Sequence, residues 1–355
     1  MRKAIFRTTD EAALELLRAA PAVHLATSHP DGRPILRTVH GVLLEGDLYF
    51  HGAPAGEKMA GIGRQAVVSA EEIVAEVPSY FSDPESACPA TTFFRSVMAH
   101  GRLERIDEPT LKARALQALM ERYQPEGGHV PITADHPLYA KALRGLLIAR
   151  LRIERIDGKA KLGQHRKSPE IGRILERLWE RGRPEDLRAI EIIAAANPEA
   201  PVPKALLAPE GARLCVVPGE DALIGALELV RDEYWNTSVD SGALERSHRG
   251  ASAWIVARDD GGAIVGTARA LSDTGKIAWI LDVAVAPRWR AKGLGSALMR
   301  ALVAHPRVRS AREARLATRD AQPFYERFGF EPVSEQDWPR FPVMARKQSS
   351  AQIGG

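Results

Sequence analysis

The stretch Leu281–Met299, LDVAVAPRWRAKGLGSALM, leaves the chain few choices of fold. Asp282 to Ala286 alternates with β-branched residues, which is strand patterning, and Pro287 ends it because proline offers no N–H to a ladder. Arg290-Ala-Lys-Gly293-Leu-Gly295 follows, and Ser296 to Met299 open an amphipathic helix that continues through Leu302 and Val303. Strand, glycine turn and helix in that order leave a row of backbone N–H groups at a positive helix end. Such an end attracts anions, and the glycines let a pyrophosphate come close to the main chain.

A second piece stands at a matching distance. An apolar strand, Ala314 to Ala317, is followed by TRDAQPFYERFGF, Thr318 to Phe330. Together the two pieces resemble the GNAT family of N-acetyltransferases, the first its coenzyme-binding motif and the second its closing helix, whose tyrosine is Tyr325 here. Thr318 stands where the family commonly has asparagine. The resemblance covers roughly Arg213 to Val343. It implies acetyl-coenzyme A as cofactor, with pantetheine along the backbone of Val283, Ala284 and Val285. The pyrophosphate is then expected on the N–H groups of Arg290, Ala291, Lys292, Gly293, Leu294, Gly295 and Ser296.

At 355 residues the chain exceeds one ordinary core, so two domains are expected. A net charge of +4 suits an anionic cofactor as well as it suits nucleic acid, and no block of like charge marks a binding tail. Cys88 and Cys215 lie far apart, with neither metal-ligand spacing nor the density of a disulfide scaffold. No metal is expected. No apolar run is long enough to span a bilayer, and MRKAIFRTTDEAALELL lacks a signal-peptide core, so no membrane partner and a cytoplasmic location are expected.

The N-terminal half reads as short strands with tight turns between them. Thr9 or Asp10 caps a helix, Glu11 to Arg18. Ala22–Thr27, Ile35–Leu44, Leu48–His51 and Ala66–Ala70 read as strands, as do Thr92–Ile106 and Leu146–Ile156, with helical spacing over Glu108–Tyr123. Strands joined by turns pair antiparallel, and several together suggest a small barrel. Arg37 lies mid-strand and needs an anionic partner or an exit to solvent. His51-Gly52-Ala53 before Gly56-Glu57-Lys58 is a small-residue loop with a cation, a pattern that holds phosphate.

GRPILRTVHGVL, LYFHGAPAGEKM, RSVMAHG and IDGKAKLGQHR resemble the FMN-binding split barrel of the pyridoxamine 5′-phosphate oxidase superfamily. The likeness is to its branch of nitroimidazole-resistance proteins and FMN-binding negative regulators, and it covers about Met1 to Asn197. It implies that Arg37, Thr38, Val39, His51, Gly52 and Lys58 lie along the FMN phosphate and ribityl chain, with Ser96 near the ring. Relatives bind FMN, deazaflavin or haem; FMN is the expectation here. Split barrels of this group are usually dimers, so a homodimer through the barrel is expected. The basic run Lys159 to Arg166 carries no helix-turn-helix or zinc-finger pattern beside it, and direct nucleic-acid binding is not expected.

The expected fold class is therefore α+β, an antiparallel split β-barrel with flanking helices followed by a mixed α/β GNAT sheet. The expected boundaries are 1–197 for the barrel domain, a proline-rich linker at 198–211, the GNAT domain at 212–345 and a flexible tail at 346–355. Acetyl transfer needs a neutral amine, a donor for the tetrahedral oxyanion, and a proton or hydrogen bond for the leaving thiolate. Tyr325 is the candidate acid at sulfur, Asp282 and Glu233 are candidate bases, and Tyr234 and Trp235 are candidate acceptor-pocket residues. The favoured function is acetyl transfer from acetyl-coenzyme A to a small primary amine. The alternatives are a flavin-dependent oxidoreductase and an FMN-binding regulator or sensor.

Overall fold

A computed structural model describes residues 3–332 and 343–347. Its contacts divide the chain into two units, Met1–Glu76 with Thr92–His165, and Val77–Thr91 with Arg166–Gly355.

The first unit is built on β1 (Val23–Ser28), β2 (Pro34–Val39), β3 (Gly41–Leu44), β4 (Asp47–Gly52), β5 (Gln65–Val77), β6 (Thr91–Ile106) and β7 (Leu147–Lys161). They form one sheet in the order β2-β1-β5-β6-β7-β4-β3. The registers β1–β2, β1–β5, β3–β4, β4–β7 and β6–β7 all run antiparallel. The run Ile35–Leu44, expected as one strand, is two, broken at His40. Those two strands sit at opposite edges of the order. One residue spans about 7 Å at most between its neighbours, so the sheet curls until its edges meet there. No ladder joins β2 to β3, and the barrel stays split.

Period-two alternation fills both sides of this sheet. Leu48 and Phe50 point into a core with Leu17, Val23, Leu25, Val68, Val97, Leu103 and Leu151. Tyr49 faces the other way, onto Val42, Ile106, Ala115, Leu119 and Ile148. The helix α1 (Asp10–Ala19) is capped by Thr9, whose side chain accepts the Ala12 N–H at 3.2 Å, and it buries Ala13 and Leu17. In α2 (Pro109–Tyr123), Glu108 caps two N–H groups. Buried Lys112 reaches the carbonyls of Leu143 and Leu146 at the end of α3 (Ala140–Gly145), which accounts for a charge in an apolar layer.

In the second unit, α4 (Ser168–Arg181) and α5 (Pro184–Ala196) precede β8 (Ala212–Cys215), α6 (Glu220–Val230), α7 (Ser241–Arg249), β9 (Ala253–Asp259), β10 (Ile264–Ser272) and β11 (Ile277–Val285). Then come α8 (Leu294–Ala304), α9 (Pro306–Arg309), β12 (Glu313–Ala317), α10 (Gln322–Glu326), β13 (Glu331–Pro332) and β14 (Val343–Lys347). The sheet order is β13-β14-β12-β11-β10-β9-β8, with β11 and β12 parallel.

The contact units part at 165/166 rather than at the expected 197. Arg309 Nη2 donates to the Trp179 carbonyl at 2.8 Å, the Trp179 and His305 rings meet edge to face, and the Val216 N–H donates to Glu191 Oε1 at 2.7 Å. Those bonds and the buried face of α4 attach both helices to the second sheet. The expected linker is also packed: Ala200 and Leu206 are buried and the Arg300 guanidinium donates to the Leu207 carbonyl. The stretch between Trp235 and β9 contains α7, capped by Asp240 through the Ala243 N–H. Of the expected tail, residues 348–355 lie outside the described residues, whereas Arg346 and Lys347 belong to β14.

Candidate functional site

Two departures from regular sheet open a cleft in the second unit. The parallel pairing of β11 with β12 runs from Ile277↔Glu313 to Trp279↔Arg315 and stops there. On the other side of β11, the register with β10 shifts between Thr267 and Arg269, at a bulge where Asp282 takes φ 50°. The main chain of Val283, Ala284 and Val285 is left along a cavity of about 690 Å³.

The N-terminus of α8 closes one end of that cavity. Gly293 caps the helix at φ 83°, a left-handed conformation that favours glycine, and Ala291 takes φ 63° beside it. Gly293, Gly295 and Ser296 line the cavity with Arg290 and Ala291. A methyl at Gly295 would sit 3.5 Å from the Phe324 ring, so the bare backbone keeps this end open. The side chains of two of the seven residues whose N–H groups were expected to hold the pyrophosphate lie away from the cavity. Leu294 is fully buried beneath the helix, and the Lys292 ammonium lies over the Trp289 ring. Arg290 Nε donates to the Val285 carbonyl at 3.1 Å, which braces the loop against the strand.

Tyr325, Tyr234, Trp235 and Glu233 all line the same cavity. Burial, aided by the neighbouring Tyr234 and Asp320, pushes the Tyr325 phenol up to about 12, so it holds its proton at neutral pH. Glu233 is partly exposed and lies 3.5 Å from Arg290 Nη2. Tyr234 is fixed from two sides: its hydroxyl accepts the Arg319 N–H at 3.2 Å, and the Arg319 guanidinium sits 3.9 Å from the ring centroid.

Asp282, expected as a candidate base, is placed otherwise. Its side chain is 3% exposed and accepts from Trp235 Nε1 at 2.9 Å, Asn236 Nδ2 at 3.1 Å and Arg269 Nε at 2.6 Å. A carboxylate held by three donors, one of them charged, braces the bulge and the Trp235 wall. Arg319, Phe324 and Arg327 also line the cavity and were not assigned roles from the sequence. Arg319 stands next to Thr318, the position where the family commonly has asparagine, which was the available signal. Thr318 itself is buried, its hydroxyl accepting the Ala321 N–H.

The candidate phosphate residues of the first unit meet around a short 3-10 turn, Glu57–Gly61. Arg37 on β2 pairs with Glu57, and a Cβ at Gly52 would meet Lys58 Cε at 3.2 Å. The turn thus brings Arg37, Gly52 and Lys58 into one group, with Lys58 Nζ donating to the Ala55 carbonyl at 2.8 Å. The group holds two cations and one carboxylate, and a phosphate fits there where it takes the place of Glu57 on Arg37. Thr38 and Val39 follow Arg37 on β2, where Thr38 Oγ1 lies 3.4 Å from His24 Nδ1 and Val39 packs on the barrel core. His51 is exposed in register with Ile148, and Ser96 on β6 pairs with Lys159 on β7, with β1 and β5 standing between β6 and β2 in the sheet order. Among the described residues no hydrogen bond joins either side chain to the Arg37 group.

Residues 9–160 match the family model described as pyridoxamine 5′-phosphate oxidase, and residues 249–332 match the acetyltransferase (GNAT) domain. No curated protein matches the chain. Among solved structures, a flavocytochrome from Azotobacter vinelandii is 24% identical over 44% of this chain and 69% of its own, with a TM-score of 0.38. The FAD and heme binding protein from Mycobacterium smegmatis is 24% identical over 43% and 72%, with a TM-score of 0.37. A protein from Xanthomonas campestris pv. campestris described as belonging to the GNAT family is 30% identical over 35% and 86%, with a TM-score of 0.31. No helix among the described residues is long and apolar enough to cross a membrane. The C-terminal part of the chain thus matches the GNAT acetyltransferase domain, and the part ahead of it matches the pyridoxamine 5′-phosphate oxidase family.

Proposed function

We propose that the chain transfers an acetyl group from acetyl-coenzyme A to a small primary amine, and that its N-terminal unit binds FMN. One observation carries the transferase reading. A single cavity collects a free helix N-terminus at Gly293–Ser296, the open backbone of Val283–Val285 and a protonated phenol at Tyr325.

The amine binds as an ammonium and loses a proton to Glu233, directly or through one water. Its nitrogen forms a bond to the thioester carbonyl carbon, and a backbone N–H of the Val283–Val285 edge is the available donor to the oxyanion. The tetrahedral intermediate collapses with loss of the carbon–sulfur bond, and Tyr325 gives its proton to the departing sulfur. The α8 end and Arg290 hold the pyrophosphate, and Tyr234 and Trp235 shape the acceptor side. No covalent enzyme intermediate is needed.

In the first unit, Lys58 and, on release from Glu57, Arg37 would hold the flavin phosphate. Bound FMN supplies one- and two-electron chemistry to the chain. We further propose a homodimer through the barrel, to be checked by light scattering on the eluting protein, and a cytoplasmic location.

Release of coenzyme A thiol, followed across a panel of primary amines, tests the transferase. Acetyl-coenzyme A binding without any amine-dependent thiol release overturns the acceptor class, and absence of binding overturns the whole reading. The absorption spectrum of the purified protein, with the mass of the released chromophore, tests the flavin; a colourless preparation that takes up no added FMN rejects it.

A further inference from the structure

Arg319 and Asp320 stand in the turn between β12 and α10, directly ahead of the helix that carries Tyr325. Both line the acetyl-transfer cavity, and their side chains are 55% and 63% exposed, so a ligand can reach them. The guanidinium is nevertheless fixed in place. It lies 3.9 Å from the centroid of the Tyr234 ring, and the Tyr234 hydroxyl accepts the Arg319 backbone N–H. One wall residue therefore holds the cation at its head and at its main chain. A planar fork held in this way loses little further freedom when it takes up an anion.

Its one carboxylate partner among the described residues is Asp320, through a single contact of Nη2 to Oδ2 at 3.2 Å. An exposed pair between chain neighbours contributes little. The other N–H groups of the guanidinium have no acceptor among the described residues and are free to donate.

The coenzyme does not supply the anion for this cation. All the negative charge of acetyl-coenzyme A is on phosphates at its nucleotide end, proposed to sit at the α8 N-terminus with Arg290, and the acetyl-pantetheine end is neutral. Tyr234 and Asp320 are neighbours of the Tyr325 phenol instead: burial first, and then these two, push it up to about 12. Tyr325 marks the sulfur, so the Arg319 turn stands at the reacting end of the cavity, where the acceptor enters.

Carboxylates flank the cation on either side in the chain. Glu233 precedes the Tyr234 on which Arg319 is stacked, Asp320 follows Arg319, and all four residues line the cavity. One planar cation among carboxylates suits a zwitterion, whose own carboxylate matches the fork and whose ammonium matches the acids. A phosphate dianion would call for a second cation and would meet Asp320.

We propose that the acceptor is a primary amine that also carries a carboxylate, an amino acid in the simplest case, and that Arg319 selects for it. The acceptor carboxylate takes N–H groups of Arg319, and its ammonium lies toward Glu233 and Asp320 before it loses its proton. The assignment rests on the acetyl-transfer reading of this cavity and names its substrate class.

The test measures kcat/KM on the full chain for a panel of amino acids, each against its own carboxamide. Comparing the acid-to-amide ratio of the wild type with that of Arg319→Gln cancels the different basicity of the two amines. The ratio falls by about tenfold or more in Arg319→Gln, the worth of a charge-assisted bond, and Arg319→Lys restores part of it. A role confined to holding Tyr234 would lower acid and amide together and leave the ratio unmoved. The Kd for acetyl-coenzyme A, read by calorimetry on the same variants, changes by less than about threefold. A ratio unmoved by Arg319→Gln, a loss of about tenfold or more in acetyl-coenzyme A affinity in that variant, or turnover of amides with no acid accepted each overturns the proposal and leaves the transferase reading standing. Failure of the wild-type protein to bind acetyl-coenzyme A overturns that reading and the proposal with it.

Discussion

Arg269 Nε donates to Asp282 Oδ2 at 2.6 Å, in a pair whose side chains keep only 9% and 3% exposure. Asp282 also holds Trp235 and Asn236, and it sits at the bulge that turns Val283–Val285 toward the cleft. One carboxylate therefore supports both the strand edge and the acceptor wall. Asp282→Asn leaves the guanidinium buried beside a neutral amide. It is expected to cost about 3–5 kcal/mol in urea unfolding and to raise KM for the amine through Trp235. Stability equal to the wild type would show the pair to be dispensable.

Tyr325→Phe removes the proton held for the leaving sulfur and keeps the ring packing on Phe324 and Phe330. We expect kcat to fall by about 10²-fold or more, with the acetyl-coenzyme A Kd changed by less than about threefold. Equal losses in kcat and affinity would mark the tyrosine as structural. With the phenol at about 12, the wild-type rate should show no alkaline fall from this group below about pH 11.

Gly295→Val places branches where the backbone of α8 meets Phe324 and the cleft. The first added carbon finds an ordinary contact at 3.5 Å, so the fold should survive. The further carbons fill ligand space, and acetyl-coenzyme A affinity should drop on the order of tenfold or more in calorimetry. An unchanged affinity places the coenzyme elsewhere.

Burial, with Arg309 and Arg307 beside it, lowers His305 from 6.5 to about 4. The unfolded chain takes up this proton near pH 6.5 and the folded chain only near 4, so below pH 6.5 the unfolded state binds more protons. The group's contribution is complete above pH 6.5 and is lost as pH falls toward 4, by about 3 kcal/mol in all. Urea melts of His305→Asn, which keeps a helix-capping acceptor, should show a flatter profile in that window than the wild type.

Arg37→Ala and Lys58→Ala each remove one cation from the group at Glu57–Gly61. A charge-assisted bond to phosphate is worth about 1.5–3 kcal/mol, so FMN affinity followed by fluorescence quenching should weaken by about 10- to 100-fold for each. His51→Ala, whose side chain has no hydrogen bond to this group among the described residues, should change it less. The reverse ranking would relocate the phosphate.

Much of the cleft was readable in one dimension because its parts are local. The run from Val283 to Ser296 is a strand, a turn and a helix start, and each depends on residues within a few positions of one another. The role of Asp282 was not readable in this way. Its partners Trp235, Asn236 and Arg269 lie 13 to 47 positions away, and nothing in a single strand announces a bulge. The same holds for α4 and α5, whose partners in the second unit, Arg309 and Val216, lie far off in the chain. His40 looked like one residue in a long strand, and only the ladders show it separating two edges.

The amino-acid order by itself determined the α+β class, the antiparallel run of the first half, and the glycine turn that opens α8 at Gly293, because propensity, turn chemistry and hydrophobic period act over short spans. Tertiary structure decided that Asp282 is held by Trp235, Asn236 and Arg269 and that the helices after His165 join the second unit. Those outcomes depend on burial and on partners far off in the chain, since the protonation state and hydrogen bonds of a side chain are set by what surrounds it in space.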